Sequence, residues 1–248
     1  LILVIFSISV SSSELEKYLN SNQKTFEDIA LKIWNYAELG YLENKSSQAL
    51  SDELEKNGFT ITKGLAGIPT SFKAEYNNGG PIIGIMGEYD ALPGLSQTAS
   101  PFKEVALNET NGGHACGHHL FGAASAWAAV VIKEWMVKNN IEGTIRFYGT
   151  PAEEGGSGKV YLVREGLFKD VDIVLHWHPD DTNSANSRTS NSNKSGKFTF
   201  KGISAHAAGA PEQGRSALDG VEAMNHMVNM MREHVPQESR IHYVITKG

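Results

Sequence analysis

The sequence predicts an α/β fold in which helices cover both faces of a sheet. Apolar, β-like runs alternate with helical stretches, which is the pattern of α/β domains. Polar motifs follow the ends of several of these runs, where ligands collect in open α/β sheets. The chain has 248 residues, of which 40% are hydrophobic, enough for one large or two modest domains.

The predicted elements follow one another from residue 14 onward. Apolar side chains recur at three- and four-residue intervals up to Asn57-Gly58, a typical C-terminal signal, so residues 14–57 are predicted to be helical. An Asn-Asn-Gly-Gly turn joins two predicted strands, 72–76 and 82–87. The rest of this region comprises a long alanine-rich helix (117–138), a strand (144–148), a short helix (159–165) and a buried strand (171–175).

The composition then changes, which predicts a second domain. Residues 180–195 are almost entirely polar, with many Asn and Ser. A strand (198–203), an amphipathic helix (216–234) and another strand (241–245) follow. We therefore predict one domain over residues 14–193 and the start of another over 194–248.

The first thirteen residues predict the remnant of a signal peptide. Residues 1–10 are apolar and three serines follow, as in the apolar part of a secretory signal. The run is too short to cross a bilayer as a helix, and a buried first strand is the alternative. This pattern favours an exported or periplasmic protein over a cytoplasmic one, and no other stretch is predicted to span a membrane.

Charge and cysteine content argue against two classes of function. The formal net charge is −6 with both signs mixed along the chain, and without a basic patch we expect no nucleic-acid partner. Cys116 is the only cysteine, so an intrachain disulfide is excluded and a redox function would lack its resolving thiol.

Four motifs at the ends of apolar runs carry side chains that bind metals or move protons. They are Tyr89-Asp90-Ala91-Leu92-Pro93, His114-Ala115-Cys116-Gly117-His118-His119, Pro151-Ala152-Glu153-Glu154-Gly155-Gly156 and His176-Trp177-His178-Pro179. Because ligands bind at the carboxyl ends of strands, we expect these motifs to form one shared site. Their residue types indicate metal-dependent hydrolysis.

The Cys-Gly-His spacing is a candidate for metal binding. A thiolate at Cys116 and an imidazole at His118 can reach one cation from a loop, a ligand set that suits zinc and related ions. A buried thiol beside a histidine that begins a helix is the alternative. Either His176 or His178 could add a ligand, since both face one side of the predicted strand, although a lone histidine there would more often be structural.

Acidic residues complete the predicted site. In extended backbone, Glu153 and Glu154 point to opposite sides, so one can bind a metal while the other faces a water molecule and takes its proton. Asp90 can hold a ligand histidine by its second nitrogen. The alternatives are a solvated acidic pair at a helix N-terminus and an aspartate that begins a turn.

At these motifs the chain resembles the M20 metallopeptidase family. The likeness is to its amidohydrolase branch, which includes aminoacylases and hydrolases of hippurate, indoleacetyl-amino acids and p-aminobenzoyl-glutamate. Supporting stretches are residues 87–97, 113–118, 150–156, 177–179, 204–211 and 214–219. The resemblance implies a phosphorylase/hydrolase-like mixed-sheet catalytic domain with an inserted α+β lid, or dimerisation, domain.

The resemblance also implies a role for each candidate residue. One or two divalent cations, Zn²⁺ or Mn²⁺, would be bound by Cys116, His118, Glu154 and His178. Glu153 would be the general base that activates water and then protonates the leaving amine, while Asp90 would orient the metal site. His206, on the lid, would reach a partner's active site across a dimer of identical or homologous subunits. His119 departs from the family, in which Asp or Asn usually follows the ligand histidine.

The implied reaction is hydrolysis of a small-molecule amide. The substrate would be an N-acyl or N-aroyl amino acid, such as p-aminobenzoyl-glutamate, or a dipeptide. Family members continue beyond this chain and carry a further ligand histidine there, so we expect a fragment truncated at both ends that alone is inactive or nearly so. A non-catalytic metal-binding or dimerising fragment is the alternative function.

Overall fold

The computed structural model of the protein describes residues 12–107, 109–185, 187 and 189–248. The apolar run of residues 1–10, for which a signal-peptide remnant is predicted, lies outside the described residues. The chain divides into two units, Leu1–Thr182 and Asn183–Gly248. This division falls within the polar stretch that separates the two predicted domains.

A five-stranded mixed sheet lies at the centre of the first unit, with strand order β1-β2-β6-β3-β7. Its strands are β1 (Thr60–Lys63), β2 (Phe72–Asn78), β3 (Ile82–Gly87), β6 (Gly143–Gly149) and β7 (Ile173–Leu175), and a separate small pair consists of β4 (Leu92–Pro93) and β5 (Gly112–Gly113). β2 pairs antiparallel with β1 on one side and with β6 on the other. β3 runs parallel to its two neighbours, β6 and β7. The predicted α/β fold is confirmed, and the sheet is mixed as the resemblance implies.

The helices of the first unit are α1 (Ser12–Tyr36), α2 (Asn44–Lys56), α3 (His118–Lys138), α4 (Glu153–Gly156) and α5 (Gly158–Arg164). The predictions for α3, α5, β2, β3, β6 and β7 are confirmed to within a few residues. β1 was not predicted; it forms because it pairs with β2 along the edge of the sheet.

The prediction of helix throughout residues 14–57 is wrong at residues 37–43. Ala37 has a φ of 43° and Tyr41 a φ of 67°, so the backbone leaves the helical region there. Leu39 forms a bridge to Ala91, and the Ala91 N–H donates to the carbonyl of Glu38. These contacts with a distant segment replace the intrahelical hydrogen bonds that the local periodicity favours.

The core lies between one face of the sheet and the three long helices. α3 packs on β3 and β6 and against α1 and α2. The buried side chains of this cluster include Phe26, Ile33, Leu50, Leu54, Ala126, Val130, Ile145 and Phe147. On the opposite face Tyr148 packs against Phe168, with ring centroids 4.6 Å apart.

α3 is long and apolar enough to cross a membrane by composition alone, but half of that stretch is buried in the protein, as in a core helix.

The second unit contains α6 (Ala217–Met231), which confirms the predicted amphipathic helix. Ser216 caps it by accepting a hydrogen bond from the Asp219 N–H. The predicted strands over residues 198–203 and 241–245 are wrong in this structure. Within the described part of this unit, Ile203 forms an isolated bridge to Arg215 but no strand ladder forms. A strand needs a neighbouring strand that pairs with its backbone N–H and C=O groups. A single bridge pairs too few of these groups to form one.

An ion pair across the sheet yields a prediction on stability. Glu75 of β2 lies opposite Arg146 of β6 and pairs with it, and both side chains are largely buried. Burial raises the pKa of Glu75, but bonds to Arg146 and Lys73 outweigh burial and lower it. The ion pair therefore contributes fully to the free energy of unfolding above the pKa of Glu75 in the unfolded chain, near 4.3. This contribution is lost as the pH falls through the lower pKa of Glu75 in the folded protein.

We expect Glu75→Gln to lower the free energy of unfolding by about 1 kcal/mol at pH 7. The difference from wild type should shrink as the pH falls below about 4. Urea unfolding at several pH values measures it, with Glu55→Gln, an exposed position on α2, as the control. A loss that is independent of pH would contradict the ion-pair explanation.

Candidate metal centre

The first unit brings three of the motifs to the carboxyl ends of parallel strands. β3 is followed by Glu88 and Asp90, β6 by Glu153 and Glu154, and β7 by His176 to His178. β6, β3 and β7 are parallel neighbours, so these segments leave the sheet at one edge. The fourth motif begins α3, where Gly117, with a φ of 82°, supplies the left-handed turn into the helix.

His118 lies at the middle of the cluster and is fully buried. Its Nδ1 is 2.9 Å from Asp90 Oδ1 and 3.1 Å from the carbonyl oxygen of Asp90, so the Nδ1–H donates to that residue. Its Nε2 faces three carboxylates, at 2.9 Å from Glu88 Oε2, 3.9 Å from Glu154 Oε1 and 4.0 Å from Glu153 Oε2. Asp90 thus fixes the ring so that Nε2 is the atom offered to the cluster.

Cys116 and His178 form the more accessible side of the cluster. Cys116 Sγ lies 3.3 Å from His178 Nε2. The His178 Nδ1–H donates to the carbonyl of Pro179 at 2.9 Å, which leaves Nε2 directed at the thiol. Ligand atoms lie within 4.8 Å of one another in two groups, Cys116-His118-His178 and Glu88-His118-Glu153.

Three buried atoms of the cluster fit a divalent cation. Glu88 Oε2, His118 Nε2 and Glu154 Oε1 lack an aligned hydrogen-bond partner within the described part of the chain, despite the 2.9 Å contact between the first two. Buried polar atoms without partners are costly, so they indicate an interaction that hydrogen bonds do not supply. Ligands about 2 Å from one cation lie roughly 3–4 Å apart, which these spacings match. The thiol of Cys116 and the imidazole of His178 add donor atoms of the kind that zinc-like ions prefer.

The charges of the cluster shift several pKa values. Burial lowers the pKa of His118, but contacts with Asp90 and Glu88 outweigh burial and raise it to about 10. Burial and the neighbouring Glu154 raise the pKa of Cys116 to about 12. Burial also raises the pKa of Glu154. Without a cation, the centre therefore holds a protonated imidazole and a thiol.

Glu88 belongs to the centre although the sequence analysis did not single it out. It is buried, its Oε2 meets His118, and its Oε1 accepts from Lys159 Nζ. Burial raises the pKa of Glu88, but the contacts with His118, His176 and Lys159 outweigh burial and hold it far below the usual range. The sequence does offer one clue to Glu88, which is its position directly after β3 and two residues before Asp90. In extended backbone, residues two apart lie on the same side.

His176 and His178 differ in their surroundings, although the sequence left both open as ligands. His176 Nε2 is 3.9 Å from Glu88 Oε1, and its ring packs edge-on against Phe121 at 5.0 Å. His178, by contrast, contacts the thiol. Between them, Trp177 turns away and donates to Ser125 Oγ at 3.0 Å. His178 is therefore the better candidate for a ligand.

His119 faces α1 rather than the centre. Its ring lies 4.8 Å from that of Trp34 and 5.2 Å from that of His114. Burial and the positive charge of His118 lower the pKa of His119 to about 4, so it is neutral at pH 7. The imidazole that departs from the family pattern thus packs as a neutral ring.

His206 lies in the second unit, in a turn of its own. Its Nδ1 accepts hydrogen bonds from the backbone N–H groups of Ala208 at 3.2 Å and Gly209 at 2.9 Å. This leaves Nε2 as the nitrogen available to other groups. Its role at a partner's active site stays a prediction.

Comparisons with known proteins agree with this chemistry. Residues 84–237 match the model of peptidase family M20/M25/M40. The chain is 43% identical over 235 residues to one of the subunits of p-aminobenzoyl-glutamate hydrolase from Escherichia coli K12, covering 94% of this chain and 49% of that protein. It is 28% identical over 232 residues to Xaa-Arg dipeptidase of Homo sapiens, covering 87% and 49%.

A solved structure is similar as well. The YXEP protein of Bacillus subtilis, a dinuclear metal-binding peptidase of the M20 family, matches with a TM-score of 0.51 and 25% identity, over 65% of this chain and 45% of that one. The chain spans about half the length of the curated relatives it matches.

The protonation states of the centre yield a prediction for metal binding. A cation binds thiolate and neutral imidazole, so Cys116 and His118 would each lose a proton if both are ligands. We expect about two protons to be released per Zn²⁺ bound at pH 7, and affinity to fall as pH is lowered. Calorimetric titration in buffers of different ionisation enthalpy measures the number.

Cys116→Ala should release about one proton fewer than wild type and bind Zn²⁺ more weakly, because one ligand is lost. His119→Phe, which alters an imidazole outside the cluster, is the control and should leave the proton count unchanged. Binding without proton release would contradict the assignment of these two residues as ligands.

Proposed function

The chain belongs to peptidase family M20/M25/M40, and we propose that it carries the catalytic residues of a metal-dependent amidohydrolase. The proposed reaction cleaves the amide bond of an N-acyl or N-aroyl amino acid. The observation that supports it best is the convergence of Glu88, Glu153 and Glu154 on His118 Nε2, next to a Cys-His pair. This arrangement suits a bound cation far better than a metal-free packed interior.

We assign the metal ligands to Cys116, His118, Glu154 and His178. Glu88 is a further candidate, because its Oε2 is as close to His118 Nε2 as two ligands of one cation are expected to be. A bound Zn²⁺ or Mn²⁺ would supply Lewis acidity, which polarises the scissile carbonyl and lowers the pKa of water.

Glu153 is the proposed general base. Its side chain is 46% exposed, while its Oε2 lies 4.0 Å from His118 Nε2. It therefore faces both the solvent and the centre, as a group that takes a proton from attacking water must. The same carboxyl group, once protonated, can pass the proton to the amine nitrogen as the C–N bond breaks.

Asp90 is the proposed positioning residue for two ligands. Its Oδ1 accepts from His118 Nδ1, and its Oδ2 accepts from the Glu154 N–H at 2.8 Å. One carboxylate thus fixes the ring of one candidate ligand and the backbone of another. Such outer contacts typically contribute 10- to 100-fold to metal affinity or activity.

The relatives direct the choice of substrate. p-Aminobenzoyl-glutamate is the leading candidate, because the Escherichia coli relative hydrolyses that compound by its name. A dipeptide is the second candidate, because another relative is named a dipeptidase. Turnover of p-aminobenzoyl-glutamate, hippurate and simple dipeptides by the metal-loaded full-length protein tests the proposal. No release of amino acid from any of them would refute amide hydrolysis.

The relative's name also bears on assembly, because it describes one subunit of an enzyme. We propose that the full-length protein pairs with itself or with a homologous subunit through its second domain, and that His206 acts on the partner's substrate. Loss of activity in His206→Ala, recovered on mixing with a Glu153→Ala protein, would support a site shared between subunits.

Substitution of Glu153 distinguishes a catalytic protein from one that only binds metal. We expect Glu153→Ala to lower kcat by about 10²- to 10⁴-fold, because a general base is lost, with metal content unchanged. Glu154→Ala should instead bind the metal more weakly and have a lower metal content, because a ligand is removed. Elemental analysis and kcat on both variants measure these effects. An unchanged rate in Glu153→Ala would favour the alternative of a non-catalytic metal-binding chain.

A further inference from the structure

The backbone directly before the proposed base is held in an unfavourable conformation. Ala152 has a φ of 57° and a ψ of 45°, in the left-handed region that residues with a side chain rarely adopt. Such conformations cluster at functional sites and persist only where the surroundings fix them. Ala152 immediately precedes Glu153 and Glu154, so its conformation sets where both carboxylates point.

A buried carboxylate fixes this residue. Glu43, in the loop between α1 and α2, is fully buried. Its Oε1 accepts from the Ala152 N–H at 2.8 Å, and its Oε2 accepts from Thr70 Oγ1 at 2.9 Å. Among the described residues, no lysine, arginine or histidine forms an ion pair with Glu43. Glu43 is thus a buried carboxylate held by neutral donors, and one of these donors is the N–H of the residue in the unfavourable conformation.

The surroundings of Glu43 also connect to Asp90. The carbonyl of Thr70 accepts from Tyr89 Oη at 2.6 Å, and Tyr89 is the buried neighbour of Asp90. From the same loop as Glu43, Gly40 packs on Ala152, where an added Cβ would lie 3.1 Å from Ala152 Cα. Because the Glu38 carbonyl accepts from the Ala91 N–H, the loop over residues 37–43 contacts both segments that supply acidic groups to the centre.

We propose that Glu43 is a positioning residue for the proposed base: through the Ala152 N–H it holds Glu153 and Glu154 in their working orientation. This inference rests on the proposed function for its catalytic meaning, although the effect on the metal centre can be measured without turnover. In this proposal Glu43 is not a ligand and acts through the backbone of Ala152.

Two substitutions separate the hydrogen bond from the charge. Glu43→Gln keeps an acceptor for the Ala152 N–H, and its amide can donate to Thr70 Oγ1, so the contacts survive without the carboxylate. Glu43→Met keeps the approximate size but leaves the Ala152 N–H without its partner. Should Glu43→Met fail to fold, Glu43→Asp makes the same comparison, because its carboxylate is one methylene too short to keep both contacts.

Glu38 offers a matched control in the same loop. It is also a buried carboxylate, but its oxygens accept from the backbone of Lys45 and from the backbone and hydroxyl of Ser46, at the start of α2. Glu38→Met should therefore lower stability as a buried substitution does, without moving the loop that carries the base.

The experiment uses the full-length protein loaded with Co²⁺, whose d–d absorption reports ligand geometry. We expect Glu43→Met to change the Co²⁺ spectrum, to weaken Co²⁺ binding and to lower kcat roughly 10- to 100-fold with a smaller change in KM. Glu43→Gln should restore the spectrum and most of kcat. Glu38→Met should show the wild-type spectrum even if its Tm falls.

The outcomes distinguish this inference from the proposed function. If Glu43→Met and Glu38→Met give the same spectrum, Co²⁺ affinity and kcat, or if Glu43→Gln behaves like Glu43→Met, the positioning role is overturned. If wild type hydrolyses no amide but its spectrum still changes selectively in Glu43→Met, the proposed function fails while the positioning of the centre by Glu43 stands.

Discussion

The carboxylate of Asp90 joins the two halves of the candidate centre. One oxygen holds the imidazole of His118 at the start of α3, and the other holds the Glu154 N–H in the loop after β6. These groups come from segments more than thirty residues apart in sequence, yet a single short side chain fixes both. The parallel pairing of β3 with β6 makes this possible, because Asp90 and the loop after β6 leave the sheet at the same edge.

The concentration of negative charge explains why a cation belongs at this edge. Glu88, Glu153 and Glu154 all lie within 4.0 Å of the imidazole nitrogen of His118. In a buried site such carboxylates oppose one another's ionisation, and burial together with its acidic neighbours raises the pKa of Glu154. The proton on His118 and the ammonium of Lys159 offset part of this charge. A divalent cation offsets more of it and also satisfies the atoms that lack hydrogen bonds.

The sequence predicted the parts of this structure that depend on local pattern. β3 was predicted at its observed limits because Ile82 to Gly87 form an apolar run bounded by turn residues, and α3 followed from its long alanine-rich stretch. The break at residues 37–43 was missed, because the bridge from Leu39 to Ala91 decides it and local periodicity carries no information on such a contact. Glu88 had only a weak local signal, its position after β3, because the contacts that place it in the centre are with His118 and Lys159, which are distant in sequence.

Most of the contacts that shape the centre join residues distant in sequence, so the centre forms only as the chain folds. Glu43 reaches Ala152, Asp90 reaches His118, and Cys116 reaches His178 only once the sheet and α3 have assembled. The left-handed backbone at Ala152 would relax if these contacts were absent, because nothing in its local sequence favours that conformation. A cation that binds the assembled cluster more tightly than the unfolded chain therefore stabilises the fold by mass action. The contacts that fix the segment of Glu153 and the residues that bind the metal would then stabilise one another. Metal occupancy and the fraction of protein with an ordered Glu153 segment would therefore rise together.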